Sequence, residues 1–231
     1  MSAPMQLSLG VHLQDAATFS NFYRGQNPPI VDYLPEMLEQ PGFRFVYLWG
    51  KQDSGKSHLL QASCNYAHQL QLSHSYLACT QGLEHQIERL HQLDQDLVCL
   101  DDLEQALGKP ALEEALFHAF NRLRDQGKML IITATGSPTS LPVQLADLAS
   151  RLAWGLTYQL QVLNDEDKLA ALIMRAQQRG LQMPDEVARY LLNRSTRRLS
   201  GLFATLDQLD EASLKEKRKL TIPFVRQALK W

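Results

Sequence analysis

Apolar residues gather in this chain into short runs, and the stretches between them repeat with a helical period. Phe43-Arg44-Phe45-Val46-Tyr47-Leu48-Trp49 is the first run, and residues 75–79, 97–100, 128–133 and 156–160 form four more. Runs of this length fit strands buried on both faces of a sheet. Leu112, Ala115, Leu116, Ala119, Phe120 and Leu123 stand at offsets 0, 3, 4, 7, 8 and 11, which puts all six on one face of an amphipathic helix. Helical stretches are also predicted over residues 30–38, after Asn27-Pro28-Pro29, and from His58 onward. The alternation predicts an α/β fold, a five-stranded parallel sheet flanked by helices.

From Asn164 the pattern is helical only. Asn164, Asp165, Glu166 and Asp167 make a helix start with a capping side chain and an acidic first turn, and that helix runs to about residue 180. Pro184 opens a second helix, residues 197–213 carry a third, and Thr221-Ile222-Pro223 starts a short fourth. The expected division is an arm over 1–17, an α/β domain over 18–163 and a small all-helical domain over 164–231.

Composition narrows the class. The 231 residues suffice for a medium domain with a small satellite, and 45% apolar residues supply a core. A net charge of −2 offers no global basic field for nucleic acid. Cys64, Cys79 and Cys99 lack C-x-x-C spacing and lie in apolar stretches, as buried reduced thiols of a cytoplasmic protein would. No charged-then-apolar leader opens the chain and no apolar run approaches membrane-spanning length, so a cytoplasmic location without membrane contact is expected.

The chemistry concentrates after the first apolar run. Gly50-Lys51-Gln52-Asp53-Ser54-Gly55-Lys56-Ser57 fits G-x-x-x-x-G-K-[ST], between a predicted strand and a predicted helix that begins at His58. Backbone N–H groups of such a loop curl around a β-phosphate, and the helix N-terminus adds partial positive charge. Lys56 would reach the β- and γ-phosphates, and the Ser57 hydroxyl would take a position on Mg²⁺. Asp101 and Asp102 close the third run, where a nucleotide's metal needs a carboxylate. Asp101 is assigned to the metal side and Asp102 to the attacking water. Thr135, just past the fourth run, is a candidate for orienting that water. Arg151, between the fourth and fifth runs, reads either as a surface charge or as an arginine offered to a neighbouring subunit's nucleotide. Arg194, Arg197 and Arg198 cluster at the start of a lid helix, where one of them can face the phosphates.

Together these pieces resemble an AAA+ domain, and more closely that of the bacterial replication initiator DnaA. The resemblance is carried by Thr18-Phe19-Ser20-Asn21-Phe22, the loop from Gly50 to Ser57, and Leu100-Asp101-Asp102. It continues in the Ser150-Arg151-Leu152-Ala153-Trp154-Gly155-Leu156 segment and in Arg197-Arg198-Leu199-Ser200-Gly201. The N-terminal Gln6-Leu7-Ser8-Leu9-Gly10-Val11 is similar to motifs that dock on the replicative sliding clamp. It carries Gly10 where a proline is expected, a change that raises the cost of ordering it. An AAA+ core of this type with a clamp-docking arm, and without the initiator's DNA-binding domain, looks like the Hda family. That family, with the DNA-loaded clamp, promotes hydrolysis of ATP bound to DnaA.

The resemblance implies roles residue by residue. Phe19, Asn21 and Phe22 would lie near the adenine of ADP or ATP, beside the phosphate-loop residues and His58. Arg197 would take the sensor-2 position, and Arg151 would be the arginine finger offered to DnaA. Gln6, Leu7, Ser8, Leu9 and Val11 would contact the clamp, so that DNA is met through the clamp, and AAA+ faces of this kind favour self-association. Thr135 stands where the initiator has an acid, a departure that bears on turnover by the chain itself. The resulting expectation is a negative regulator of replication initiation. The rivals are a helicase loader or initiator-like AAA+ ATPase that binds DNA directly, and a small-molecule kinase, which would have no use for the Arg151 segment or the lid.

Overall fold

The computed structural model describes residues 17–79 and 83–231; the clamp-motif residues Gln6, Leu7, Ser8, Leu9 and Val11 lie outside them. The described residues form one parallel sheet from β1 (Arg44–Trp49), β2 (His74–Ala78), β3 (Leu97–Asp101), β4 (Met129–Ala134) and β5 (Leu156–Gln159), in the spatial order β2-β3-β4-β1-β5. Around it run α1 (Pro28–Glu39), α2 (Lys56–Gln69), α3 (Leu83–His91), α4 (Pro110–Asp125) and α5 (Ala146–Leu152). Each predicted strand is present within a residue or so.

Strand alternation explains why the runs of β1, β3 and β4 are almost wholly apolar. The edge strands are not buried on both faces as expected, β5 being largely exposed and β2 mostly half-buried. On β1, Phe45 and Tyr47 join one core with Leu116, Phe120 and Leu152, while Val46 and Leu48 join another with Ile30, Leu34, Leu59 and Leu60. β3 and β4 divide in the same way: Val98, Leu100, Leu130 and Ile132 face the first core, and Leu97, Cys99, Met129 and Ile131 the second. A sheet covered on both faces needs apolar side chains at successive positions. Each fully buried large side chain contributes roughly 1.5–3 kcal/mol. All six residues of the predicted α4 stripe are buried, and Cys64, Cys79 and Cys99 are buried free thiols.

The remaining helices, α6 (Asp165–Gln178), α7 (Asp185–Arg194), α8 (Leu199–Glu216) and α9 (Ile222–Leu229), close on a core of their own around Leu172, Leu191, Leu206 and Phe224. The Asn164 side chain caps α6 by accepting from the Asp167 N–H at 2.8 Å, and Thr221 caps α9 from the Phe224 N–H. Two expectations are corrected here. The third helix starts at Leu199, not at residue 197, and Arg194 closes α7, so the three arginines span the loop between α7 and α8 instead of opening one helix. Helices α3 and α5 were not anticipated; at nine and seven residues they are too short to establish a helical period.

Candidate functional site

The phosphate loop leaves the C-terminal end of β1 and enters α2, and close packing fixes its shape. A Cβ on Gly50 would lie 2.6 Å from the Leu160 carbonyl oxygen, and one on Gly55 would lie 2.5 Å from the Phe22 ring. Gly55 is the left-handed N-cap of α2, at φ +93°, and gives that helix no side-chain cap. Its first N–H groups are therefore left to face an anion. Asp53 is also left-handed, at φ +62°. Gly55→Ala is expected to lower the melting temperature, because it combines a disfavoured φ with an overlap, together costing about 1–3 kcal/mol. A thermal melt equal to that of the parent would contradict this.

Lys56 is 7% exposed and its ammonium donates to the carbonyls of Gly50 at 2.8 Å and Lys51 at 3.1 Å. The Ser54 hydroxyl is buried with no hydrogen-bond partner among the described residues. A buried cation and an orphaned hydroxyl inside a glycine cradle fit a phosphate group. Lys51, Gln52 and Ser57 are exposed at the same place.

The segment ahead of α1 is drawn over α2. Asn65 donates to the Ala17 carbonyl at 2.7 Å, and the His58 ring donates to the Thr18 carbonyl at 3.0 Å. Thr18 and Asn21 bond reciprocally through side chain and backbone. Phe22 then meets the His58 ring at 5.4 Å between centroids, and Phe19 meets Tyr66 edge-on at 5.9 Å. Burial pushes the His58 imidazole down, assisted by the Arg175 charge and opposed by the Thr18 carbonyl, so the ring is neutral at pH 7.

The acidic side lies one strand beyond the neighbour of β1. Asp101 is 2% exposed and accepts from the Tyr76 hydroxyl, from the Thr133 hydroxyl and from the Asp102 N–H at 3.1 Å. Burial, reinforced by Asp101, pushes the Tyr76 phenol far above its ordinary range and keeps it a donor. Asp102 is half-buried at φ +55°, and burial, with the charges of Asp101 and Glu104 added, raises its carboxyl against the pull of Lys56. The loop lysine and Asp102 therefore feel one another across the crevice. Thr135 is exposed, and its N–H donates to Glu104 at 3.2 Å. A single hydroxyl and a single carboxylate suit a magnesium ion brought in on phosphates; among the described residues no cluster of three or more His, Cys, Asp or Glu forms an all-protein metal cage.

Two further elements carry residues singled out in the sequence. The Ser200 hydroxyl, in the first turn of α8, donates to the Asp53 carboxylate at 2.9 Å, tying the helical domain to the phosphate loop three residues past the exposed Arg197. Arg151 lies in the last turn of α5, half-buried and with no side-chain partner among the described residues. The start of α5 is held by Glu113 of α4, wholly buried, which accepts from the N–H groups of Gly108, Gln144 and Leu145 at 2.8, 2.9 and 2.8 Å. The contacts of Tyr76, Thr133, Ser200 and Glu113 are not legible in the sequence, because each joins a partner distant along the chain.

Comparison with known proteins agrees with this architecture. The bacterial DnaA ATPase domain matches residues 13–159, and the lid domain of Hda matches residues 165–229. Domain III of the Thermotoga maritima replication initiation protein DnaA superposes with a TM-score of 0.75 at 23% identity, over 95% of this chain and 98% of that one. AMPPCP-bound DnaA from Aquifex aeolicus gives 0.69 at 23% identity, over 87% and 68%. A Thermotoga maritima RuvB mutant gives 0.65 at 18%, over 93% and 71%. The sheet order, the phosphate loop between β1 and α2 and the separate helical domain are thus those of an AAA+ protein, and the chain belongs to the bacterial DnaA ATPase-domain family, with a lid of the Hda type.

Proposed function

We propose that this DnaA-related regulator of replication initiation holds ADP or ATP with Mg²⁺, docks on the DNA-loaded sliding clamp and promotes hydrolysis of ATP bound to DnaA. The observation that carries the reading is the union of a DnaA-type ATPase domain with an Hda-type lid in one chain. Beside that union stands Arg151, a cation without a partner among the described residues.

The backbone from Gly50 to Gly55 and the Lys56 ammonium would cradle the phosphates, and Phe19, Asn21, Phe22 and His58 would border the adenine. Ser57 and Asp101 would hold Mg²⁺, which when bound neutralises phosphate charge. Asp102 and Thr135 would serve a water near the γ-phosphate, and Arg197 would report the nucleotide to the lid. Arg151 acts outward, on the charge that develops on the partner's γ-phosphate. Its surroundings suit a protein partner. Trp154, three residues on, is 60% exposed and stacks on Phe43 at 5.9 Å, and Leu156 is exposed next to it. The α/β part, residues 18–163, carries ten Lys and Arg against fifteen Asp and Glu, a balance that disfavours direct DNA binding through the sheet domain.

The test is release of labelled phosphate from ATP pre-bound to DnaA, with clamp loaded on DNA, with and without this protein. Stimulation that requires the clamp is expected. In the Gln6→Ala variant it should fall by roughly ten-fold or more, as when an interface anchor is truncated. No stimulation, together with salt-sensitive binding of DNA by the chain alone, would transfer the case to the loader reading.

A further inference from the structure

Asp101 is more heavily engaged than a carboxylate that must also serve a metal ion. An ionised carboxylate offers about four lone-pair sites. Three donors already point at this one: the Tyr76 hydroxyl at Oδ2, and the Thr133 hydroxyl and the Asp102 N–H at Oδ1. Tyr76 comes from β2 and Thr133 from β4, the strands on either side of β3, so the carboxylate is gripped from both flanks. Thr133 is fully buried and Asp101 nearly so, which leaves little room for the carboxylate to swing away from its donors.

We propose that Tyr76 is a positioning residue for the nucleotide's magnesium ion: with Thr133, it sets how much of the Asp101 carboxylate is available to the ion, and so sets the magnesium requirement for nucleotide binding. The inference rests on the reading of the phosphate loop as a Mg²⁺-nucleotide site. A hydrogen bond to an ionised acceptor spreads its charge and occupies a lone pair that the cation would otherwise use. With both flanking hydroxyls in place, Mg²⁺ gains less from Asp101 than from a free carboxylate. The chain can then retain nucleotide over a wide range of magnesium concentration, as suits a protein whose nucleotide sets conformation.

The experiment titrates a fluorescent ADP analogue against the full chain in EDTA and at a series of Mg²⁺ concentrations. Tyr76→Phe keeps the ring and removes the donor. It is expected to lower the half-effective Mg²⁺ concentration by about three- to ten-fold, the worth of one hydrogen bond, while leaving affinity in EDTA unchanged. Thr133→Val, close in shape, should shift the midpoint in the same direction, and provides the test if Tyr76→Phe does not fold. Asp101→Asn should raise the half-effective Mg²⁺ concentration, opposite in direction to the two hydroxyl variants. A purely structural role for Tyr76 would change stability or affinity in EDTA without moving the midpoint. A midpoint unchanged or raised in folded Tyr76→Phe and Thr133→Val proteins would overturn the proposal. Failure of the parent chain to bind the analogue under any condition would overturn the nucleotide-site reading itself, and the proposal with it.

Discussion

Arg151→Ala is expected to reduce clamp-dependent hydrolysis of DnaA-bound ATP to the level without the protein, a loss on the order of 10³-fold or more if the arginine supplies what a trans finger supplies elsewhere. The guanidinium is always charged and presents a planar fork, which matches the geometry of a phosphoryl group in transfer. The rigidity of its helix matters as much as the charge. Leu148 and Leu152 bury α5 against the sheet core, and Glu113 fixes the loop that leads into it. Arg151→Lys should recover little, because a point charge cannot reproduce two parallel hydrogen bonds. The control is binding of nucleotide by the chain itself, which should not change. Unaltered stimulation by the alanine variant would remove Arg151 from the mechanism.

Glu113→Ala is expected to cost about 3–5 kcal/mol of stability, read as the shift of the urea midpoint at constant slope. Truncation leaves the N–H groups of Gly108, Gln144 and Leu145 without their acceptor. A hydrogen bond to a charged group is worth roughly 1.5–3 kcal/mol, and the exposure of Gly108 and Gln144 lets water recover part of it. Domains of this size have only about 5–15 kcal/mol in hand, so the variant should be marginal at 37 °C. Glu113→Gln should be milder. Its amide oxygen can still accept from Gln144 and Leu145, while its NH₂ group faces the Gly108 N–H, donor against donor. A loss below about 1 kcal/mol in the alanine variant would mean that water replaces the carboxylate.

The two sides of the crevice were unequally legible. Gly50 to Ser57 could be read directly because a phosphate loop is a local object: glycines where the backbone must turn or approach closely, then a lysine and a hydroxyl at fixed offsets. Asp101 could be read for a related reason, as the first acid at the end of an apolar run. Tyr76 could not. Within residues 75–79 it reads as one more bulky strand residue, and only the pairing of β2 with β3 brings its hydroxyl to Asp101. Glu113 likewise reads as an ordinary acid in a helix's first turn, until the loop before α5 folds over it.

The sequence by itself determined the alternation of strands and helices, the change to an all-helical segment at Asn164, and the phosphate loop with its following acids. These rest on nearest-neighbour physics: backbone conformation, periodic burial and helix capping act within a few residues. Tertiary structure alone decided the strand order β2-β3-β4-β1-β5, the ties from Ser200 to Asp53 and from Glu113 to the α5 loop, and the gripping of Asp101 by Tyr76 and Thr133. Each of those joins groups 25 or more residues apart. Such groups meet only when burial on both faces of the sheet has fixed where every element lies, because a polar contact of about 1 kcal/mol cannot by itself offset the entropy of closing so long a loop.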